Sequence, residues 1–307
     1  MSEQLENDFR CGIVSIVGRP NVGKSTLLNK IVGEKVAIVS KVPQTTRNQI
    51  RGIYNDERGQ IIFIDTPGLH IGRDKLDQMM NNSSTSTVDQ VDCIIYLVDT
   101  SRRIGEEEEY VASQLKSVKA PVILALNKVD LKAPYLAEYI SFWEKVKNQS
   151  VQEMKNFTMI ALSGKNGINV EQLLEIIFQY LPSGQALYPT DIISDVPQKI
   201  VIADIIREKL FELMREEIPH SLGVSIEQMS PVKNKTLNIK ALIFIERSSQ
   251  KEIVIGKGGS VLKKVGILAR KELEELLEKK VFLELYVKIH ERWRNDVFVL
   301  QELGYQS

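Results

Sequence analysis

At 307 residues, with 43% hydrophobic and 26% charged residues, the chain has the make-up of an ordinary soluble protein of about two domains. Its two cysteines, Cys11 and Cys93, sit beside apolar runs, which excludes a disulfide scaffold and predicts buried free thiols in a reducing compartment. No run approaches the ~20 apolar residues that span a bilayer, and the polar start "MSEQLENDFR" lacks the apolar stretch of a signal peptide, so a cytoplasmic location is expected.

Taken in chain order, the first part alternates apolar runs with longer stretches of helical pattern. The runs are "GIVSIVG" (12–18), "QIIFIDT" (60–66), "CIIYLVDT" (93–100), "PVILALNKVD" (121–130) and "FTMIALSG" (157–164). Near-continuous apolar strands separated by helices predict a mostly parallel, doubly wound α/β sheet covered on both faces. Ligands of such sheets bind beyond the carboxyl ends of the strands. The patch "NNSSTST" (81–87) is expected in a flexible segment after "DTPG". Residues 183–197, rich in proline and aspartate without a clear period, read as a linker. Beyond it, 198–217 has helical spacing and "GVSIEQMS" and "TLNIKALIFIER" read as strands. A helix, glycine turn and helix over 251–280, a strand "VFLELYVKIH" and a short C-terminal helix from about Glu291 complete an α-β-β-α-α-β order.

The chemistry-bearing motifs fall at the strand ends. Gly18, Arg19, Pro20, Asn21, Val22, Gly23, Lys24 and Ser25 match G-x-x-x-x-G-K-[ST], with Thr26 beginning the helix behind them. Such a loop turns backbone N–H groups toward phosphates at a helix N-terminus. Lys24 would reach the β- and γ-phosphates and Ser25 would hold Mg²⁺. In "DTPG", Asp65 would hold Mg²⁺ through water and the Gly68 N–H would sense the γ-phosphate, with Thr66 and Pro67 also expected among the nucleotide-binding residues. In "VPQTTRNQIRG" (42–52), placed as a first switch, Thr46 is the preferred Mg²⁺ ligand and Thr45 the alternative. In "NKVD", Asp130 would accept two hydrogen bonds from guanine, which adenine cannot offer. Asn127 would tie this loop to the phosphate loop, and the Lys128 stem would cover the base. Backbone N–H groups of Ser163, Gly164 and Lys165 would reach guanine O6. The residue after Gly68 is Leu69, where signalling GTPases carry a water-orienting glutamine, so slow unaided hydrolysis of GTP to GDP is expected. The first 182 residues are thus expected to form an α/β P-loop GTPase domain.

The net charge is zero but uneven. Residues 199–307 carry 19 Lys+Arg against 16 Asp+Glu, and the rest 21 against 24. Within 251–271, Lys251, Lys257, Lys263, Lys264, Arg270 and Lys271 stand against Glu252 alone, a local patch suited to a phosphate backbone. In its midst Gly256, Lys257, Gly258 and Gly259 form a G-x-x-G turn flanked by Ile255 and Val261. In a KH domain this turn clamps the backbone of single-stranded nucleotides, and the element order fits the type II topology. Residues 198–307 are therefore expected to be a smaller α+β KH type II domain. Trp293 is a candidate for stacking a base, with packing as the alternative, and Arg292 or Arg294 for a phosphate. The three histidines show no metal spacing.

The phosphate loop, "QTTR", "DTPG", "NKVD" and the "SGK" segment resemble the translation-factor-like class of GTPases. With the C-terminal half, and over almost the whole chain, they resemble the Era family of bacterial ribosome-assembly GTPases. The resemblance implies an RNA partner at the 3′ end of small-subunit (16S) ribosomal RNA, the 30S subunit or its precursor, and peripheral association with the inner face of the cell membrane. A monomer is expected. It also implies that Asn21 helps to bind a K⁺ ion beside the phosphates, as in relatives whose glutamine position is hydrophobic. One departure is Ser163-Gly164 where the family usually has Ser-Ala, which a backbone contact tolerates. The alternative reading is an RNA-binding module in which nucleotide is structural and hydrolysis incidental.

Overall fold

The computed structural model describes residues 9–40, 42, 45–70, 72, 74–88, 90–214, 218–232 and 236–305. The first eight residues, and positions 43, 44, 71 and 73 within the expected switch segments, lie outside the described residues. The chain divides into two compact units. One comprises residues 1–39, 46–73 and 80–195, and the other 40–45, 74–79 and 196–307.

The first unit is a six-stranded sheet in the order β2-β3-β1-β4-β5-β6. Its strands are β1 (Arg10–Val17), β2 (Ile50–Asp56), β3 (Gly59–Asp65), β4 (Cys93–Asp99), β5 (Val122–Asn127) and β6 (Phe157–Ala161). All neighbours pair in parallel except β2, which runs antiparallel to β3. Every residue of β3, β4 and β5 is buried, the signature of strands covered on both faces. Its helices are α1 (Lys24–Val32), the part of α2 (Lys75–Val88) from Met80 on, α3 (Glu106–Leu115), α4 (Leu136–Lys147) and α5 (Val170–Tyr180). A cluster that includes Val17, Leu69, Tyr96, Val98, Val111, Tyr139 and Trp143 fills the space on the α3–α4 side.

Two expectations change here. Residues 50–52, assigned to the first switch, begin β2, an edge strand whose register runs Ile50↔Asp65 to Asp56↔Gly59. Its polar end, "YND", lacks the long apolar run that marks the other strands. The patch 81–87 is helical rather than flexible, because α2 runs through it. The Ser84 hydroxyl donates to the Met80 and Pro67 carbonyls and Thr85 to the Asn81 carbonyl, so these side chains bond back to their own helix instead of opening it.

Residues 183–195 form no long element, yet they are fastened to the sheet edge. Buried Gln60 accepts from the Leu187 and Tyr188 N–H groups and donates to the Tyr188 carbonyl. The Ile53 N–H donates to the Ile193 carbonyl, and Arg51 pairs with Asp195 at 2.8 Å.

The second unit contains α6 (Gln198–Leu213), β7 (Gly223–Val232), β8 (Thr236–Ile245), α7 (Ser248–Ile255), α8 (Ser260–Leu277), β9 (Lys280–Ile289) and α9 (Val297–Glu302). Its sheet has the order β7-β8-β9, antiparallel then parallel. Ile202, Ile206 and Leu210 of α6, Ile239 and Ile243 of β8, and Val265, Ala269 and Leu273 of α8 form its core. Within this unit Arg207 donates to the Thr45 carbonyl and Arg294 pairs with Asp74 at 2.8 Å.

Candidate active site and nucleic-acid interface

The parallel strands bring the motifs together at their carboxyl ends. The loop Gly18–Ser25 joins β1 to α1 and faces the turn that ends β3. At Gly68 a Cβ would lie 2.7 Å from the Pro20 nitrogen, so only glycine lets the two loops approach this closely. The Lys24 ammonium, buried, donates to the Gly18 and Arg19 carbonyls at 3.0 and 3.1 Å. Burial pulls its pKa down to about 8, with Asp65 opposing. A cation resting on two carbonyls of its own loop is poised to exchange them for phosphate oxygens.

Beside it lies an oxygen cluster. The Ser25 hydroxyl donates to Asp65 Oδ2 at 2.6 Å and lies 2.8 Å from the Thr46 hydroxyl. Asp65 Oδ1 is buried and makes no hydrogen bond among the described residues. Burial pushes the Asp65 carboxyl up to about 6, with Lys24, Ser25 and Thr46 opposing. Two hydroxyls and a carboxylate with one unmatched oxygen are a hard donor set that fits Mg²⁺. Thr46, not Thr45, belongs to this cluster, because the Thr45 hydroxyl donates to the Val42 carbonyl at 2.6 Å. Thr66 donates to the Ile16 carbonyl at 3.0 Å, while the Pro67 carbonyl receives Ser84. Thr26 lies half-buried on α1, and Val22 and Pro20 are buried within the loop.

Leu69 is fully buried in the α3–α4 cluster, so its side chain lies in the core. Asn21 adopts a left-handed backbone conformation with φ of 63°.

On the base side, Asn127 links three loops: its amide donates to the Val22 carbonyl at 2.8 Å and its oxygen accepts from the Gly164 N–H at 3.0 Å. The Gly164 N–H, expected to face guanine O6, is thus taken by Asn127. Ser163 accepts from the Asn166 N–H at 3.1 Å, closing the loop. The Lys128 ammonium donates to the Asn21 carbonyl at 2.8 Å and to Asp99 at 2.7 Å. Asp130 is exposed just beyond β5.

Sequence reasoning missed Asp99 and Glu108. Burial works against an ionised Asp99, but hydrogen bonds from Lys128 and Ser101 outweigh it and hold the carboxyl below its usual range. An aspartate ending an apolar strand beside the nucleotide loops was the available signal. Glu108 gave none, since it stands in a run of four glutamates that reads as a solvated helix face.

In the second unit the G-x-x-G turn joins α7 to α8. Gly258 and Gly259 have φ of 60° and 77°, and a Cβ on either would meet nothing within 4 Å, so open space lies above both. Ser248, Lys251, Glu252, Ile255, Gly256 and Lys257 line an open groove of about 530 Å³ beside it. Lys263, Lys264 and Arg270 are exposed on α8. Trp293 is not a stacking platform: it is fully buried, and its indole N–H donates to the Ser221 carbonyl at 2.9 Å. Its apolar ring packs against Gly223, where a Cβ would meet it at 3.1 Å. Arg294 is held by Asp74 and Asp77 rather than lying open to a phosphate.

Residues 13–128 match the family described as "50S ribosome-binding GTPase" and residues 217–294 the family described as "KH domain". The chain is 43% identical to "GTPase Era" of Halothermothrix orenii over 299 residues, which cover 97% of this chain and 99% of that one. It is equally 43% identical to "GTPase Era" of Staphylococcus haemolyticus, covering 97% and 98%. Among solved structures it superposes with a TM-score of 0.91 on Era in complex with MgGDPNP and nucleotides 1506–1542 of 16S ribosomal RNA, at 36% identity, covering 97% of this chain and 100% of that one.

Proposed function

Because the chain belongs to the Era family of GTPases, we propose that it works as a GTP-hydrolysing switch in 30S ribosomal subunit assembly. Its nucleotide state would set its binding to single-stranded RNA near the 3′ end of 16S ribosomal RNA. The observation that carries this reading is the cluster of Ser25, Thr46 and Asp65, within the field of the Lys24 ammonium, beside the Gly68–Pro20 approach. Lys24 neutralises the β- and γ-phosphates, and loop N–H groups orient them. Mg²⁺, held by Ser25, Thr46 and Asp65, would supply charge between the same phosphates. Asp130 selects guanine, and Asn127 and Lys128 brace the base loop against the phosphate loop.

The γ-phosphate would engage the segments around Thr46 and Gly68, and hydrolysis would release that hold. With Leu69 in the core, no side chain at that position orients water, and turnover is on the order of 10⁻⁴–10⁻² s⁻¹ without an activator. The G-x-x-G turn, with its open space and basic neighbours, clamps the RNA backbone. The 30S assignment is supported by the 16S fragment in the Era complex, whereas the description of the matched GTPase family names the 50S subunit.

Three finer parts rest on family resemblance. These are K⁺ held with the help of Asn21, a cytoplasmic monomer, and peripheral association with the inner face of the cell membrane. No helix among the described residues is long and apolar enough to cross a membrane. The test of the main reading is multiple-turnover GTP hydrolysis with and without a 16S 3′-end oligonucleotide, in K⁺ and in Na⁺ at equal ionic strength. RNA-dependent turnover supports the switch. Turnover indifferent to RNA, combined with RNA affinity indifferent to nucleotide, would leave an RNA-binding module with a structural nucleotide.

A further inference from the structure

The phosphate loop is braced from behind by a buried charge pair. Four glutamates, Glu106 to Glu109, open α3. Glu106, Glu107 and Glu109 are exposed, and Glu108 is fully buried. A lone buried carboxylate is costly, so the groups that meet it define its purpose. Three donors do so. Arg19 Nε donates to Oε2 at 2.8 Å, the Tyr96 hydroxyl to Oε1 at 2.6 Å and the Tyr139 hydroxyl to Oε2 at 3.4 Å.

Arg19 is the second residue of the phosphate loop, and its guanidinium is nearly as buried as its partner. Its Nη2 is buried and makes no hydrogen bond among the described residues, where Glu108 is the anion paired with this cation. The Arg19 carbonyl is one of the two on which the Lys24 ammonium rests. A continuous path therefore runs from α3 through Glu108 and Arg19 to Lys24, with contacts of 2.8 and 3.1 Å.

We infer that Glu108 is a positioning residue of the nucleotide site: by holding the Arg19 guanidinium it fixes the carbonyl pair that presents Lys24 to the β- and γ-phosphates. Tyr96 and Tyr139 in turn hold the Glu108 carboxylate, from β4 and α4. This inference rests on the phosphate-site reading of Lys24. A buried ion pair stabilises a fold no better than well-packed apolar residues, while it holds direction in a way they do not. That difference makes the role testable.

Glu108→Gln keeps the shape and two acceptor or donor positions but removes the charge. GDP and GTP dissociation constants are expected to rise about tenfold or more, the scale of one charge-assisted hydrogen bond. The rise in KM for GTP is expected to match, with kcat at saturation changed by less than about threefold. The double variant Arg19→Met with Glu108→Leu removes both charges, so its thermal midpoint should return close to the parent's while nucleotide affinity stays weakened. Tyr96→Phe, which deletes one hydroxyl, should weaken affinity by about twofold to fivefold in a folded protein. The inference is overturned if Glu108→Gln binds GDP as tightly as the parent, or if the double variant recovers affinity together with stability. Should Glu108→Gln or the double variant not fold, the Tyr96→Phe titration decides alone, and parental affinity there overturns the inference. Lys24→Ala, measured in parallel, separates the two levels: parental GDP affinity in that variant would mean that the phosphate-site reading has failed instead.

Discussion

Replacing Leu69 by glutamine asks whether this site lacks only a side chain or has a different architecture. Leu69 is fully buried among Val17, Tyr96, Val98 and Trp143. Losing its apolar contacts costs about 2–3 kcal/mol, and burying an amide without partners adds about 1–3 kcal/mol. The sum, about 3–6 kcal/mol, corresponds to a fall in Tm of roughly 6–24 °C for a domain of this size. A calorimetric scan of the nucleotide-bound protein measures the first quantity. Single-turnover GTP hydrolysis well below the variant's Tm measures the second. A clear loss of stability and a rate within about threefold of the parent are expected. A gain of several hundredfold, on the scale a water-orienting glutamine and its partners supply, would refute this expectation. So would an unchanged Tm, because glutamine would then have found room outside the core.

Other outcomes follow from the same contacts. Trp293→Ala should cost about 3–5 kcal/mol of stability by opening a core cavity, while Trp293→Phe, tested as a folded protein, should leave RNA affinity within about twofold. Asp99→Asn should loosen the Lys128 ammonium and speed GDP release by about tenfold, read from the dissociation of a fluorescent GDP analogue. Burial pushes the Cys93 thiol up to about 12 and raises Cys11 as well. A raised thiol pKa keeps the unreactive protonated form, so at pH 8 neither cysteine should react with a disulfide reagent until the protein is unfolded.

The sequence carried most of the first unit because strands buried on both faces leave long apolar runs, and their carboxyl ends mark the site. It failed at β2, where an edge strand needs no such run, and at α2, where Ser84 and Thr85 satisfy their hydroxyls within the helix. Trp293 shows the limit of residue type as a guide. A tryptophan between two arginines suits a base, but the Ser221 carbonyl satisfies its N–H and Gly223 gives its ring a seat. The choice between Thr45 and Thr46 was open in the sequence; in the structure the Thr46 hydroxyl meets Ser25, while the Thr45 hydroxyl turns to the Val42 carbonyl. Glu108 could not be separated from the glutamates beside it, because its meaning lies in a partner 89 residues away in the chain, whereas Asp99, at the end of an apolar strand, offered a signal that its partner 29 residues on explains.

The central claim is that nucleotide state and RNA binding are coupled. The affinity of the full chain for a 16S 3′-end oligonucleotide, titrated at fixed salt with Mg²⁺ and either GDP or a non-hydrolysable GTP analogue, tests it most directly. The account predicts that the two dissociation constants differ by about tenfold or more, a coupling of about 1.4 kcal/mol. Equal constants in the two states, with both nucleotides shown to be bound, would contradict it.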